Sequence, residues 1–431
     1  MVGNNREVAM SDAGFDAGIW PALDYSRVPY SLYHDRAVYE REQARIFRGP
    51  VWNYLALEAE IPTPGDFRAS YVGDTPVIVN RDRHGAIKAF VNRCAHRGAI
   101  VRRELSGNAS EHTCIYHQWC YDLDGALTGI PFRRGIRGKG GMDASFDMGA
   151  HGLQPLRVAT LHGAIFGTLS ADAEPLETYL GQPVMTEIHR ILHRPVTVLG
   201  YTRQRIRANW KLYAENTRDN YHASLLHDFL RSFGMDRSTQ VGGVRMDQRH
   251  RHNITWAEAD SDTAEAARDA YNTANIRNDR LALQEPGLVT YRPERPGDRL
   301  NLIATSVFPG SVFMVLSNSL AIRQIRPRGI DEVEVHQTML GYADDPPDMT
   351  EHRLNQANLV GPAGLVSMED GEALEIAHRA TRSDADRHSV IELGGGGVIS
   401  DRDYRVSDVP LRGFWSYYAE LLDIEPVGAV R

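Results

Sequence analysis

The sequence predicts an α+β chain: a helical opening, a compact all-β unit, and a larger part built on a sheet with covering helices. Three observations carry this reading. Helical periodicity marks residues from about 27 to 48, short β-branched runs between turn residues fill Val51 to about Leu169, and strand-like and helix-like patterns mix after Ala171.

In the opening segment Tyr33, Val38, Tyr39 and Ile46 are spaced as an apolar stripe, and Gly49-Pro50 stops it, so one helix is expected. In the β region, TPVIVNRDRHGAIKAFVN reads as two apolar strands joined by a polar turn ending in Gly85. Farther on, VTVLGYTRQRIRA reads as a strand, NWKLYAENTRDNYHASLLHDFLRSF as a helix, and NLIATSVFPGSVFMVLSNSLAIRQIRP as a strand pair. The polar, Ala-rich stretch from Asp260 to Asn278 is expected as a surface helix or mobile insertion. Gly394 to Gly397 lacks the Lys-Ser/Thr of a P-loop and the GxGxxG of a dinucleotide site, so a plain turn is expected.

With 431 residues, two or three domains are expected, and 42% hydrophobic and 24% charged residues are ordinary for a folded chain. The formal net charge of -8, with no useful Lys/Arg run, argues against nucleic acid and anionic membranes. The N-terminal stretch MVGNNREVAMSDAGFDAG lacks a basic-then-apolar pattern and no apolar run is long enough to span a bilayer, so a cytoplasmic location is expected. Three cysteines, Cys94, Cys114 and Cys120, fall within 27 positions; they make no disulfide framework and suggest thiols available to a metal.

Cys94-x-His96, then 17 residues, then Cys114-x2-His117 is the strongest local signal. Each half puts a thiol and an imidazole on one tight loop, so two loops at the tip of a β domain can grip one small metal unit. Structural zinc would also accept two Cys and two His, although zinc sites favour Cys-Cys and His-His pairs. With Gly98 after the first His, and Trp119, Tyr121 and Gly125 after the second, the residues resemble the Rieske signature. That resemblance implies a 2Fe-2S cluster with two thiolates on one iron and two imidazoles on the other. Cys120 lies outside the pattern and is expected to be a buried, inert thiol.

Asp219, His222 and His227 follow on the helix-like stretch. A five-residue interval on a regular helix sets His222 and His227 about 140° apart, so a shared ion would require the helix to widen or break. Taken alone, two unrelated histidines would explain the pair. The wording Glu215-Asn216-x2-Asp219-x-Tyr221-His222-x4-His227, however, resembles the iron-binding helix of ring-hydroxylating oxygenase large subunits. That family holds iron(II) with two His and one carboxylate. The segment GPAGLVSMEDGEALE is similar to its third-ligand segment, which implies Asp370 as the ligand, with Glu369 the adjacent alternative. The interval from Asn216 to Asp219 is one residue shorter than in naphthalene and biphenyl dioxygenases. It resembles the salicylate 5-hydroxylase and anthranilate dioxygenase branch, as do residues 133–142.

The resemblance implies a Rieske domain (51–169) inserted in a helix-grip-like catalytic domain with a curved antiparallel sheet (170–431), to which residues 1–50 add a helical part. It further implies a terminal oxygenase that hydroxylates an aromatic substrate with O2. Electrons would come from NADH through a flavin reductase, with or without a ferredoxin. The assembly would be an α3β3 heterohexamer with a small β subunit, or an α3 trimer. Cys94, His96, Cys114 and His117 would hold the cluster, and His222, His227 and Asp370 the iron. Asp219 would join His117 to His222 across a subunit boundary by accepting a hydrogen bond from each. Asn216 and Tyr221 would support the site, Tyr221 equally well by packing alone. The branch points to an aromatic carboxylate such as salicylate, anthranilate or a substituted benzoate, for which Arg245, Arg249, His252, Arg323 and Arg326 all remain candidates. Oxidative demethylation, or electron transfer without oxygenation, are the competing functions.

Overall fold

The computed structural model describes residues 20–426 apart from 260, 262–263 and 278. The N-terminal segment used to argue location therefore lies outside the described residues, as do the two ends of the 260–278 stretch.

The opening segment is not one helix. After a short strand, Arg27–Pro29, come α1 (Ser31–His34), α2 (Arg36–Glu42) and a π turn, Gln43–Phe47. Asp35 causes the break: its backbone is extended and its carboxylate accepts from the amides of Ala37 and Val38, capping a new helix. The apolar stripe survives the break, because Tyr33, Val38, Tyr39 and Ile46 are all buried.

An all-β region follows, built from three small antiparallel sheets. Strands Ile87–Val91, Thr75–Arg81, Asp66–Val72 and Ser106–Asn108 form one, with the expected hairpin turning through Gly85. Strands Arg157–Leu161, Ala164–Thr168 and Asn53–Leu57 form the second, and His112–Thr113, Cys120–Tyr121 and Leu127–Gly129 the third.

The larger, C-terminal part is built on a seven-stranded antiparallel sheet in the order Val196–Ile206, Val333–Tyr342, Ser319–Pro327, Ser311–Leu316, Leu300–Val307, Asn253–Glu258 and Gly242–Met246. The expected strand pair is a three-strand meander. Its last strand is buried at every position: Leu320, Ala321, Ile322 and Ile325 pack in the core, and Arg323, Gln324 and Arg326 are buried with hydrogen-bond or ion-pair partners. Helices α3 (Leu176–Ile191), α4 (Trp210–Asn216), α5 (Ala223–Leu226), α6 (Asp228–Ser232), α7 (Ala264–Thr273), α8 (Pro347–Val360), α9 (Leu365–Thr381) and α10 (Val409–Leu421) complete it. The polar stretch near 260–278 thus contains a helix, α7. The four glycines form the expected turn, with Gly394, Gly395 and Gly397 at positive φ.

One apolar core runs from Trp20 and Tyr33 through Leu55 and Phe166 to Phe313 and Trp415, fastening the two domains together. Polar contacts add to it. Gln324 Nε2 donates to Tyr54 O (2.8 Å) and Tyr71 O (3.0 Å), and Arg68, buried, pairs with Glu60 at 3.0 Å and stacks on Tyr201. No described helix is long and apolar enough to cross a membrane.

Candidate metal centres and active-site cavity

The two Cys/His loops have the same backbone. In the first, Cys94 N donates to Ala99 O (2.8 Å) and Gly98 N returns to Cys94 O (3.0 Å). In the second, Cys114 N donates to Trp119 O (2.9 Å) and Gln118 N to Cys114 O (2.8 Å). The fifth residue of each loop must turn left-handed, with φ +73° at Gly98 and +55° at Gln118. Glycine accepts this readily; Gln118 does so at a cost in strain.

This repeated geometry brings the four side chains together. Cys94 and Cys114 are buried in a small core with Phe90, Trp119 and Tyr121, while His96 and His117 face solvent. The Nδ1 atoms of His96 and His117 lie 3.1 Å apart, close to the spacing of two nitrogens bound about 2.1 Å from one metal at a right angle. The His96 ring stacks on Trp119, 4.8 Å between centroids and 7° from parallel. Tyr121 Oη sits 3.2 Å from Cys94 Sγ and accepts from Ala95 N at 3.0 Å. Burial raises the Cys114 thiol above its ordinary range, and contact with Cys94 adds to the effect.

Among the described residues, two sets of His, Cys, Asp or Glu place three donor atoms within 4.8 Å of one another: His222-His227-Asp370 and His34-Asp331-His378. The Cys94-His96-Cys114-His117 set is not one of them. A single tetrahedral zinc, with bonds of about 2.0–2.3 Å, would draw all four donors within about 4 Å of each other. The set is too wide for one ion and suits a two-iron cluster. Cys120 differs from expectation: it is half-buried at the start of the central strand of its sheet, its Sγ 3.4 Å from Gln118 O, because strand alternation turns it away from the core that Tyr121 enters.

At the second site the long helix breaks into α4, α5 and α6. Asp219 is responsible for the first break, its Oδ1 accepting from the amides of Tyr221 (2.8 Å) and His222 (3.2 Å). His222 thus becomes the residue before α5, and His227, non-helical at φ -88° and ψ 76°, separates α5 from α6. The break removes the 140° offset. The rings stand 5.3 Å apart at 76°, and the Nε2 atoms of His222 and His227 are 3.4 and 3.3 Å from the same oxygen, Asp370 Oδ1, which α9 supplies.

Neighbouring groups orient all three. Asn216 Nδ2 donates to Asp370 Oδ1 (3.0 Å) and lies 3.3 Å from His222 Nε2. Glu369 Oε2 accepts from His227 Nδ1 at 2.8 Å, so the two adjacent acids are distinguished: Asp370 faces both imidazoles, and Glu369 backs one of them. Asp219 Oδ2 is 3.3 Å from His222 Nδ1, a contact off the axis of a hydrogen bond. Burial pulls the His222 pKa down, but Asp219 and Asp370 outweigh it and lift it to about 10. Asp370 is shifted oppositely: burial raises it, and both histidines bring it below the carboxylate range. The point where the three donors meet therefore favours positive charge. Donor set and field together fit a divalent cation with two His and one carboxylate.

These residues line one wall of a cavity. The rest of its lining is largely apolar, with Leu230, Leu302, Val312, Met314, Leu316 and Val366 prominent, and among the described residues Arg323 is its one cation apart from the histidines. Arg323 is buried; its Nε donates to Gln337 Oε1 (2.8 Å) and its Nη1 to Tyr213 Oη (3.1 Å). Among the described residues no carboxylate pairs with it. The other candidates lie elsewhere. Arg245 and Arg249 are half exposed and pair with Glu187 and Glu420. His252 is tied to Tyr179 O and Phe308 N, and Arg326, on the opposite face of its strand from Arg323, pairs with Glu334. Tyr221 is 41% exposed, and its amide, donating to Asp219 Oδ1, is what ties it to the site among the described residues.

Comparison with known proteins identifies the family. A Rieske [2Fe-2S] domain model matches residues 51–138, and a model of the ring-hydroxylating alpha subunit catalytic domain matches residues 189–423. The chain belongs to the ring-hydroxylating alpha-subunit family. Anthranilate 1,2-dioxygenase large subunit from Burkholderia cepacia is 47% identical over 94% of this chain and 95% of its own length. Terephthalate 1,2-dioxygenase terminal oxygenase subunit alpha 2 from Comamonas sp. is 44% identical over 93% and 96%. Salicylate 5-hydroxylase large oxygenase component from Ralstonia sp. is 38% identical over 94% and 96%. Naphthalene 1,2-dioxygenase from Rhodococcus sp., solved with indole bound, shares the fold at TM-score 0.75 and 24% identity, covering 92% of this chain and 94% of that one. Membership makes this chain a terminal oxygenase acting on aromatic substrates, with a Rieske 2Fe-2S cluster and a mononuclear non-haem iron. A carrier of electrons alone is thereby excluded.

Proposed function

We propose that this oxygenase hydroxylates an aromatic carboxylate of the anthranilate, salicylate or benzoate type, and that Arg323 binds the substrate carboxylate. The observation that carries the proposal is a guanidinium buried in the wall of a largely apolar cavity without a carboxylate partner among the described residues. A buried charge left unpaired is costly, and an anionic ligand entering the cavity removes the cost with charge-assisted hydrogen bonds. Three relatives named for anthranilate, terephthalate and salicylate support the same class.

In this reading residues 51–169 form the electron-entry unit and the remainder the catalytic unit. Cys94, His96, Cys114 and His117 hold the cluster; His222, His227 and Asp370 hold the iron, which supplies O2 activation for attack on the ring. Arg323 anchors the acid group, and the apolar lining from Leu302 to Leu316 excludes water and directs the ring toward the two histidines. Asn216 and Glu369 fix the orientation of Asp370 and His227. Asp219, its Oδ1 held by the amides of Tyr221 and His222 and its Oδ2 beside His222 Nδ1, is 27% exposed, and in this reading His117 of a neighbouring copy in a trimer reaches it there. Electrons arrive from NADH through a flavin reductase, with or without a ferredoxin.

Dioxygen uptake with product analysis tests the substrate class. Aromatic acids should be turned over in preference to their neutral amides and to parent hydrocarbons. Oxidation of biphenyl or naphthalene, with no turnover of the acids, would overturn the proposal.

A further inference from the structure

The turn that carries His222 and His227 is too short to hold itself. α5 has four residues, Ala223–Leu226, with His222 before it and His227 after it, and a helix of one turn is marginal without outside support. Its backbone bonds are weakly organised: Leu225 N and Leu226 N share His222 O at 2.8 Å, and His227 N reaches Ala223 O at 3.2 Å. Metal ligands nevertheless have to be held within about half an ångström of their working geometry.

Ser224, buried between the two histidines in sequence, is where the turn is fastened. Its carbonyl accepts from Arg231 Nη1 at 3.2 Å. Its hydroxyl belongs to a ring: Ser238 N donates to Tyr271 Oη (3.0 Å), Tyr271 Oη donates to Ser224 Oγ (3.3 Å), and Ser224 Oγ meets Ser238 Oγ (2.5 Å). An amide can only donate, so the phenol oxygen accepts from Ser238 and its one hydrogen is left for Ser224. Hydroxyls linked in this way polarise and strengthen one another.

The ring reaches α7, the helix of the polar 260–278 stretch. Tyr271 and Ala267, one turn apart, are buried while Glu265, Arg268 and Asp269 are exposed, so α7 docks by one face. The Arg237 guanidinium lies over the Tyr271 ring, 5.5 Å from its centroid, and its Nε donates to Arg231 O at 2.9 Å, which links the two fastenings of Ser224.

We propose that Tyr271 is a positioning residue of the iron site: its hydroxyl, through Ser224 and Ser238, holds α5 so that His222 and His227 keep the spacing one ion requires. The proposal rests on the assignment of His222, His227 and Asp370 to the iron. It gives the 260–278 stretch a task, buttressing the ligand-bearing turn from a distant part of the chain.

Iron retention by the holoenzyme against a competing chelator tests this, with near-infrared magnetic circular dichroism of the iron(II) and thermal unfolding on the same samples. Tyr271→Phe, which removes one oxygen and keeps the ring, should release iron at about tenfold lower chelator concentration, the lower end for groups that orient metal ligands, and should shift the iron(II) bands while the cluster spectrum stays unchanged. Ser224→Ala should do the same, and the double variant should be no worse than either single one, because each opens the same ring. If Tyr271→Phe loses its cluster absorbance, Ser238→Ala carries the test, since it keeps the amide from which Tyr271 accepts. His222→Ala is the control: iron retained there would refute the ligand assignment itself. Iron lost from His222→Ala but held as tightly as in the wild type by Tyr271→Phe, with unshifted bands, would overturn the role of Tyr271 alone, even if its melting temperature fell. Additive losses in the double variant would overturn the ring.

Discussion

The two metal-type sites of this oxygenase are built on opposite plans. At the tip of the Rieske domain the thiols are buried and the imidazoles face solvent; in the catalytic domain His227 and Asp370 are each 4% exposed and the donors face an apolar cavity. The first plan gives a redox group an exposed edge through which a partner can deliver electrons. The second keeps reactive chemistry away from water and leaves room for a substrate. Burial also decides how each site is held. Two rigid loops with identical backbone hydrogen bonds set the exposed one, whereas the buried one relies on side chains, Asn216, Glu369 and Asp219, that each satisfy a neighbour.

Substitutions can break or sharpen this contrast. The largest effect is expected at the buried donors: His222→Ala should abolish product while leaving the Rieske visible spectrum unchanged, because nothing in the Rieske loops depends on it. Next comes Asp219→Asn. It retains the local shape but loses the charge beside His222, so both metals should remain bound while product formation falls on the order of 100-fold, the upper end for loss of a group that orients a metal ligand. Single-turnover and iron assays on the same sample check both halves; normal activity would remove Asp219 from the electron route.

Arg323→Met should raise KM for an aromatic acid by about 10- to 150-fold, the worth of a hydrogen bond to a charged group, with Arg323→Lys between the two. A matched neutral amide should not show this loss, which separates a carboxylate contact from general damage. The smallest effect lies at the exposed centre. With Cys94 as a thiolate only the Tyr121 hydroxyl can donate in their 3.2 Å contact, so Tyr121→Phe should lower the cluster potential. The expected drop is on the order of 40 mV, equivalent to about 1 kcal/mol for one electron. Voltammetry measures it, and an unchanged potential would show that the contact carries no charge stabilisation.

Legibility in the sequence follows the same division. The Rieske loops could be read directly because their donors are local: spacing alone places Cys94 beside His96 and Cys114 beside His117. The buried site depends on Asp370, 143 residues beyond His227 and supplied by a different helix, so no local pattern in this chain reveals it; only the family wording did. The same holds for Arg323. Strand alternation separates it from Arg326, but which face meets the cavity is set by the sheet and its covering helices. Helix breaks were half legible. The offset of His222 and His227 demanded a distortion, while the break at Asp35 was hidden by an apolar stripe that continues across it.

Iron and acid-labile sulfide content of the wild type and of Asp370→Ala, measured side by side, tests most directly whether these are two independent centres. The expected result is three irons and two sulfides per chain in the wild type, falling to two irons with both sulfides retained in the variant. Two irons in the wild type, zinc in their place, or loss of sulfide from the Asp370→Ala protein would contradict it.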